Sequence, residues 1–288
     1  MAEAYHESLH PMGNLGIQIS MAALESPHVP MHWHETMEIL FCLNGSVTIH
    51  ADHETLTLSR NQLIVFDSKT VHSIHSSSNL YMFLCIHIDK KQLSVYVPDL
   101  ELYSIHCRPL PLDAPNSTQY IHLCQLAHDL TRLNIQDKIT NPMRSDGIAL
   151  LMLADLIQYF SVHSLPDTPQ RSQTNDTIRK IITYVNEHYA EKLTLSEIAV
   201  QTGFSKEYFC RFFRQHMGIP FLRYVNEVRI SHAGRLLSTT DLTISEIMQE
   251  SGFSNQTLFN KLFKEIYGMT PRQARNTDST DKYHGSGL

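Results

Sequence analysis

His32, Trp33 and His34, then Glu38 and Gly45, stand at the spacing His-x-His-x3-Glu-x6-Gly, and His72 follows a strand pair further on. Alternate residues of a strand share a face, so His32 and His34 point one way, and Glu38 joins them if the strand continues evenly. Three imidazoles and a carboxylate around one point suit Fe(II), Mn(II) or Zn(II). The same groups serve as wall residues that hydrogen-bond locally or line an organic-ligand pocket without metal. A catalytic metal there would also need an open coordination position. The chain holds 18 histidines, which makes a chance cluster more common than usual. Trp33, the single tryptophan, is able to stack on a sugar ring, but alternation turns it to the opposite face, towards packing against a covering helix.

A second set of chemistry-bearing residues lies in an internal repeat. Leu195-Ser196-Glu197-Ile198 precedes Gly203-Phe204-Ser205, and Ile244-Ser245-Glu246-Ile247 precedes Gly252-Phe253-Ser254. The register holds up to the serine; one residue is then added, so Phe213 answers Phe263 and Gly218 answers Gly268. In each copy a threonine (Thr194, Thr243) is placed to open a short helix, Gly-Phe to end it, and a serine (Ser205, Ser254) to cap the next. The first following helix is expected to bury Phe209, Phe212 and Phe213 and to leave Lys206, Glu207, Cys210, Arg211 and Arg214 outward. The second is expected to bury Leu258, Phe259, Leu262 and Phe263, leaving Gln256, Thr257, Asn260, Lys261 and Lys264 outward. Arg and Lys donate to guanine edges or phosphates, and Asn or Gln pairs with adenine, so these faces suit the reading of a duplex.

The elements that must position these residues divide the chain in two. Segments 18–24, 37–43, 46–51, 54–58, 62–66 and 80–88 read as short strands of an antiparallel barrel or sandwich. Segments 117–135 and 142–163 have helical spacing, with Leu123, Leu126, Ala127 and Leu130 on one face and Leu150, Leu151, Leu153, Ala154 and Ile157 on the other. They are expected to cover the barrel or to pair with a second subunit. The polar, proline-bearing stretch 164–175 reads as a linker, 176–276 as helical, and 277–288 as a polar tail. Residues 1–171 hold 9 basic against 17 acidic residues and 172–288 hold 14 against 12, which places any nucleic-acid contact in the second part. Five cysteines without a Cys-x-x-Cys pair argue against a disulfide framework and a zinc ribbon. With no apolar run long enough to cross a bilayer and no leader-like start, a cytoplasmic protein without membrane partners is expected.

The C-terminal hundred residues resemble the DNA-binding domain of the AraC/XylS transcription regulators, through TLSEIAVQTGFSKEYFCRFFRQHMG, the connecting PFLRYVNEVRISHAGRLLSTTDLTISEIMQESGFS, and LFNKLFKEIYGMTPRQAR. The resemblance implies that a connecting helix, from about 220 to 238, spaces two reading helices along one face of the duplex. By position it implies base contacts from Glu207, Cys210 and Arg211 in the first unit and from Gln256, Thr257, Asn260 and Lys261 in the second, with phosphate help from Lys206 and Arg214. The histidine motif resembles the first motif of the cupin barrel, which many such regulators carry as a sensor. In FDSKTVHSIHS the second motif departs from the pattern, lacking the proline and glycine before His72 and holding Ser76 in place of Asn.

The expected architecture is an α+β two-domain chain. A cupin-like antiparallel β-barrel with two following helices (1–163) is joined by the linker 164–175 to an all-α domain with two helix-turn-helix units (176–276). The expected function is effector-responsive, sequence-specific transcription regulation of carbohydrate metabolism genes, with double-stranded DNA, a sugar effector, a second copy of the chain and, for an activator, RNA polymerase as partners. His32, His34, Glu38 and His72 are read as effector-binding residues, with no metal, no other cofactor and no enzymatic role. The alternative is a metal-dependent cupin enzyme carrying a DNA-binding domain.

Overall fold

The computed structural model describes residues 15–23, 28–51, 54–76, 81–135, 141–163 and 169–276. Ten strands come first in chain order with two helices among them: β1 (Ile17–Ala23), β2 (His28–His32), β3 (Met37–Asn44), β4 (Ser46–Ala51), β5 (Glu54–Ser59), β6 (Leu63–Phe66), β7 (His72–His75), β8 (Met82–Ile88), β9 (Tyr103–Ile105), α1 (Ser117–Ile135), α2 (Asn141–Phe160) and β10 (Ser161–His163). Six helices follow: α3 (Pro169–His188), α4 (Leu195–Thr202), α5 (Lys206–Met217), α6 (Phe221–Thr239), α7 (Ile244–Glu250) and α8 (Gln256–Tyr267).

Two four-stranded antiparallel sheets, ordered β1-β8-β3-β6 and β2-β7-β4-β5, enclose the barrel interior. Strand β3 is buried on both faces, which accounts for its unbroken apolar run. Leu40 and Cys42 point inward with Ile49, Phe66 and Phe83, while Ile39 and Phe41 join Leu123, Leu130, Met152 and Leu156 of α1 and α2 on the outside. The two helices therefore cover the barrel's own sheet. The buried face of α2 is Ser145, Ala149, Met152, Leu153 and Leu156, so Leu151 and Ala154, expected on the inner face, are exposed. Helix α2 also ends at Phe160 rather than at 163, because Ser161–His163 turn into a strand that pairs with β9.

Strands β2, β7, β9 and β10 add to the six expected. The sequences HVPMH and HSIH offer little β-branched or aromatic signal, and Pro30 sits in β2 where that edge strand changes register between Val29 and His32, the setting in which a strand tolerates proline. Helix α3 opens inside the segment expected as linker: 169–175 are helical, and its apolar face begins only at Ile178, continuing through Ile181, Ile182 and Val185. Residues 164–168 and the expected tail 277–288 lie outside the described residues. Among the described residues no helix is long and apolar enough to cross a membrane.

Candidate functional site

The repeat is two helix-turn-helix units. Thr194 and Thr243 each form a capping box, accepting from the backbone N–H of Glu197 and Glu246 while those carboxylates accept from the threonine N–H. Glycine is needed at both turns, since Gly203 has φ +71 and Gly252 has φ +78. The residue added in the second copy moves the cap: Ser205 caps α5 by accepting from Tyr208 N, but Asn255, not Ser254, caps α8 by accepting from Leu258 N. Beneath α5 lie Phe209, Phe212, Phe213 and Met217; beneath α8 lie Phe259, Leu262, Phe263 and Ile266. Leu258, expected inside, is 40% exposed, matching Tyr208 at the same place in α5.

All ten residues expected on the outer faces are exposed. Lys206, Glu207, Cys210, Arg211 and Arg214 stand on α5, and Gln256, Thr257, Asn260, Lys261 and Lys264 on α8. The spacing between the two helices is set by α6, which belongs to two cores at once. Its first half (Phe221, Tyr224, Val225, Val228) packs with α3 to α5, and its second half (Ile230, Ala233, Leu237) with α7 and α8. Arg229 ties the halves together, donating to the carbonyls of Tyr189 and Glu191 at 2.7 Å while its guanidinium lies 5.8 Å from the centre of the Phe253 ring.

The four barrel residues come together, though by a different route from the one expected. The chain leaves β2 after His32, crosses to the other sheet, and brings in Glu38 from β3, while His72 opens β7. All four are buried. Nε2 of His34 and of His72 lie 3.1 and 3.2 Å from Glu38 Oε2. Each of the three rings has Nδ1 against a backbone carbonyl: His32 on Pro30 at 2.9 Å, His34 on Thr36 at 2.7 Å and His72 on Thr70 at 3.0 Å. Burial, with His72 and His34 beside it, pushes the His32 imidazole well below its ordinary pKa. Burial alone would raise Glu38, but hydrogen bonds from His34 and His72 and the neighbouring His87 hold its carboxyl well below the usual range.

Two features escaped the sequence reading. His87, paired in register with Glu38 across β3 and β8, brings a fourth imidazole to the cluster, with Nε2 4.0 Å from Glu38 Oε1; burial pushes its pKa down to about 4. Its only signal in the sequence is a polar residue in the apolar run of β8. The second is a seam between the domains. Tyr224 of α6 donates to the Met31 carbonyl at 2.9 Å, and Arg179 of α3 donates to the Lys69 carbonyl at 3.2 Å. Trp33 lies against the helical domain's core with the Arg179 guanidinium 5.9 Å from its ring centre, so it is turned away from the histidines as alternation implies. Beside the seam a cleft of about 980 Å³ runs between the domains, lined by His50, His75, Arg108, Arg179 and Gln215 among others.

Two family models match the chain: an AraC-like ligand binding domain over residues 18–153 and a helix-turn-helix domain over residues 198–277. An HTH-type transcriptional regulator of Staphylococcus aureus (strain COL) is 28% identical over 247 residues, which take in 83% of this chain and 31% of the relative. The chain thus spans less than a third of that relative's length. YdeC of Bacillus subtilis (strain 168), also an HTH-type transcriptional regulator, is 21% identical over 263 residues, 88% of each chain. Among solved structures, ToxT from Vibrio cholerae aligns with a TM-score of 0.48 and 14% identity over 90% of this chain and 98% of its own. The chain thus carries an AraC-like, cupin-type ligand-binding domain ahead of a helix-turn-helix domain of the AraC type.

Proposed function

We propose that the chain is an effector-responsive regulator that reads duplex DNA through the outer faces of α5 and α8. The observation that carries this is the pair of helices with matching buried aromatic faces and bare polar faces, held at a fixed separation by one helix built into both cores. Arg211 and Lys261 are assigned to guanine edges or phosphates, Gln256 and Asn260 to adenine, and Thr257, Glu207 and Cys210 to neighbouring base edges. Lys206, Arg214 and Lys264 are assigned to phosphates, where they position without specifying. On this reading the chain is not an enzyme and works in the cytoplasm, where the duplex lies.

The test uses a duplex recovered from a random pool by the full chain. Arg211→Ala and Lys261→Ala are each expected to weaken binding by about 1–3 kcal/mol where the residue makes a bidentate base contact, roughly 5- to 150-fold by fluorescence anisotropy. Unchanged affinity in both variants would count decisively against the assignment.

His32, His34, Glu38 and His72 stay assigned to the effector, which family likeness alone suggests is a carbohydrate. Pairing of two chains would bury Ile121, Met143 and Leu151, which are exposed on α1 and α2, and would double the recognised site. Melting runs over a panel of sugars and sedimentation of the same samples check the two points; an unmoved melting temperature and a monomer remove them.

A further inference from the structure

The two reading helices match residue by residue. Counted from their caps, Ser205 and Asn255, the buried residues coincide: Phe209 with Phe259, Phe212 with Leu262, and Phe213 with Phe263. Among the exposed residues, Arg211 answers Lys261 and Arg214 answers Lys264, so two cationic positions are common to both faces. The other three positions differ. Lys206 stands where α8 has Gln256, Cys210 where it has Asn260, and Glu207 where it has Thr257. Cations placed alike hold both halves of a site without distinguishing them, so what tells one half from the other lies in the three positions that differ.

Glu207 is the unexpected member of this set. A duplex lines its grooves with phosphates, and an anion brought towards it is repelled. The acids in the first turns of α4 and α7 are used within the protein: Glu197 and Glu246 each accept from the N–H of the threonine that caps their helix. Glu207 has no such duty. The cap of α5 is Ser205, and the third residue after it, where a capping carboxylate would have to stand, is Tyr208. Arg211 follows one turn later on the same side, yet among the described residues neither it nor Glu207 forms an ion pair. The carboxylate is therefore open to solvent near the N-terminal end of α5, the end from which a helix lying in the major groove reaches base edges.

The chemistry of the groove narrows what such a group can face. An ionised carboxylate only accepts hydrogen bonds. Guanine shows two acceptors there, O6 and N7, and thymine shows the acceptor O4 beside its methyl group. Adenine has a donor at N6, but its acceptor N7 lies next to it. Cytosine alone presents a donor, its N4 amino group, with no acceptor on the same edge. Three bases thus set a lone pair against the anion and one satisfies it, which is selection by rejection as much as by attraction. On α8 the matching place is held by neutral Thr257, with the amides of Gln256 and Asn260 on the same face, and amides pair with adenine.

We propose that Glu207 selects the half-site under α5 by accepting from the N4 amino group of one cytosine, and that the half-site under α8, read through adenine by Gln256 and Asn260, has a different sequence. The inference rests on the regulator reading and deepens it by naming the base that one residue chooses. Because α6 is built into both cores and holds the two helices together, unlike half-sites also fix the direction in which the chain lies along the duplex.

The test is selection from a random duplex pool by the full chain and by its Glu207→Ala and Glu207→Gln variants, both of which are expected to fold because the residue is exposed. The unaltered chain is expected to enrich a site with one fixed cytosine, at which each of the other three bases weakens binding by roughly 5- to 150-fold in fluorescence anisotropy. Glu207→Ala is expected to accept all four bases nearly alike at that place, with the rest of the site as before. Glu207→Gln puts an amide there and is expected to move the preference from cytosine to adenine. If Glu207 serves only as a negative charge beside the N-terminal end of α5, both variants melt at lower temperature and keep the cytosine. That result overturns the proposal, as does a site in which no cytosine depends on Glu207, or one whose two halves share a sequence. The regulator reading survives each of these outcomes. A chain that enriches no sequence at all overturns that reading, and this inference with it.

Discussion

Gly252→Ala is expected to destabilise the helical domain by about 1–3 kcal/mol more than Gly203→Ala, although the two glycines hold equivalent turns. Both have positive φ, at +78 and +71, so alanine at either place takes a left-handed conformation at a cost of about 1–2 kcal/mol. Their surroundings differ. A Cβ on Gly203 meets nothing within 4 Å, whereas one on Gly252 comes to 2.7 Å from Ala190 Cα and 2.8 Å from its carbonyl oxygen. Those are backbone atoms of the turn that follows α3, and they have no rotamer into which to retreat. Urea unfolding of both variants, followed by helical circular dichroism, measures the difference. Equal costs would show that the second turn does not rest on the chain near Ala190.

Acid is expected to loosen the same domain through His232. This residue of α6 is buried, stacked on Tyr189 with ring centres 3.8 Å apart, and faces Arg235, whose guanidinium donates to its Nδ1 at 3.0 Å. Burial first, and the Arg235 charge second, push its pKa down to about 3. An unfolded histidine takes its proton near pH 6.5, so below that value the unfolded chain binds a proton that the folded one refuses. The stability held at neutral pH therefore falls with the pH, by up to about 1.4 kcal/mol per unit, and by about 2 kcal/mol at pH 5. His232→Gln lacks the titrating ring and is expected to flatten this part of the profile. Melting temperatures of the two chains from pH 7 to pH 4.5 decide the matter: parallel curves would mean that His232 takes its proton in the folded state.

What could be read from the sequence follows from what each element is made of. The DNA-reading half was legible because its signals are local: a capping threonine, Gly-Phe at a left-handed turn, and phenylalanines at helical spacing, all given twice. The extra residue in the second copy was visible, but its consequence, a cap on Asn255 in place of Ser254, depends on where the backbone resumes helical geometry. In the barrel, apolar strands such as β3 announced themselves, whereas β2 and β7 did not, since histidine, proline and serine carry the residues that matter most there. Glu38 was rightly grouped with His32 and His34 for a reason that fails: the strand does not run on evenly, and the residues meet because two sheets face each other. His87 and the seam were beyond reach, because no local pattern links Met31 to Tyr224, 193 positions later. The inner face of α2 was misplaced because apolar residues occur nearly all round that helix, and only the sheet beneath it selects Ala149, Met152, Leu153 and Leu156.

Because α6 is lodged in both cores, it acts as a ruler with a fixed phase. A helix advances 1.5 Å and turns about 100° for every residue, so one residue inserted near Arg229 would swing one reading face by more than a quarter turn around the other. On the proposed reading, substitutions on α5 or α8 would retune which bases are preferred, whereas the interval between the two half-sites would be written into the length of α6, and sequences with a different interval would be refused however well each half matched.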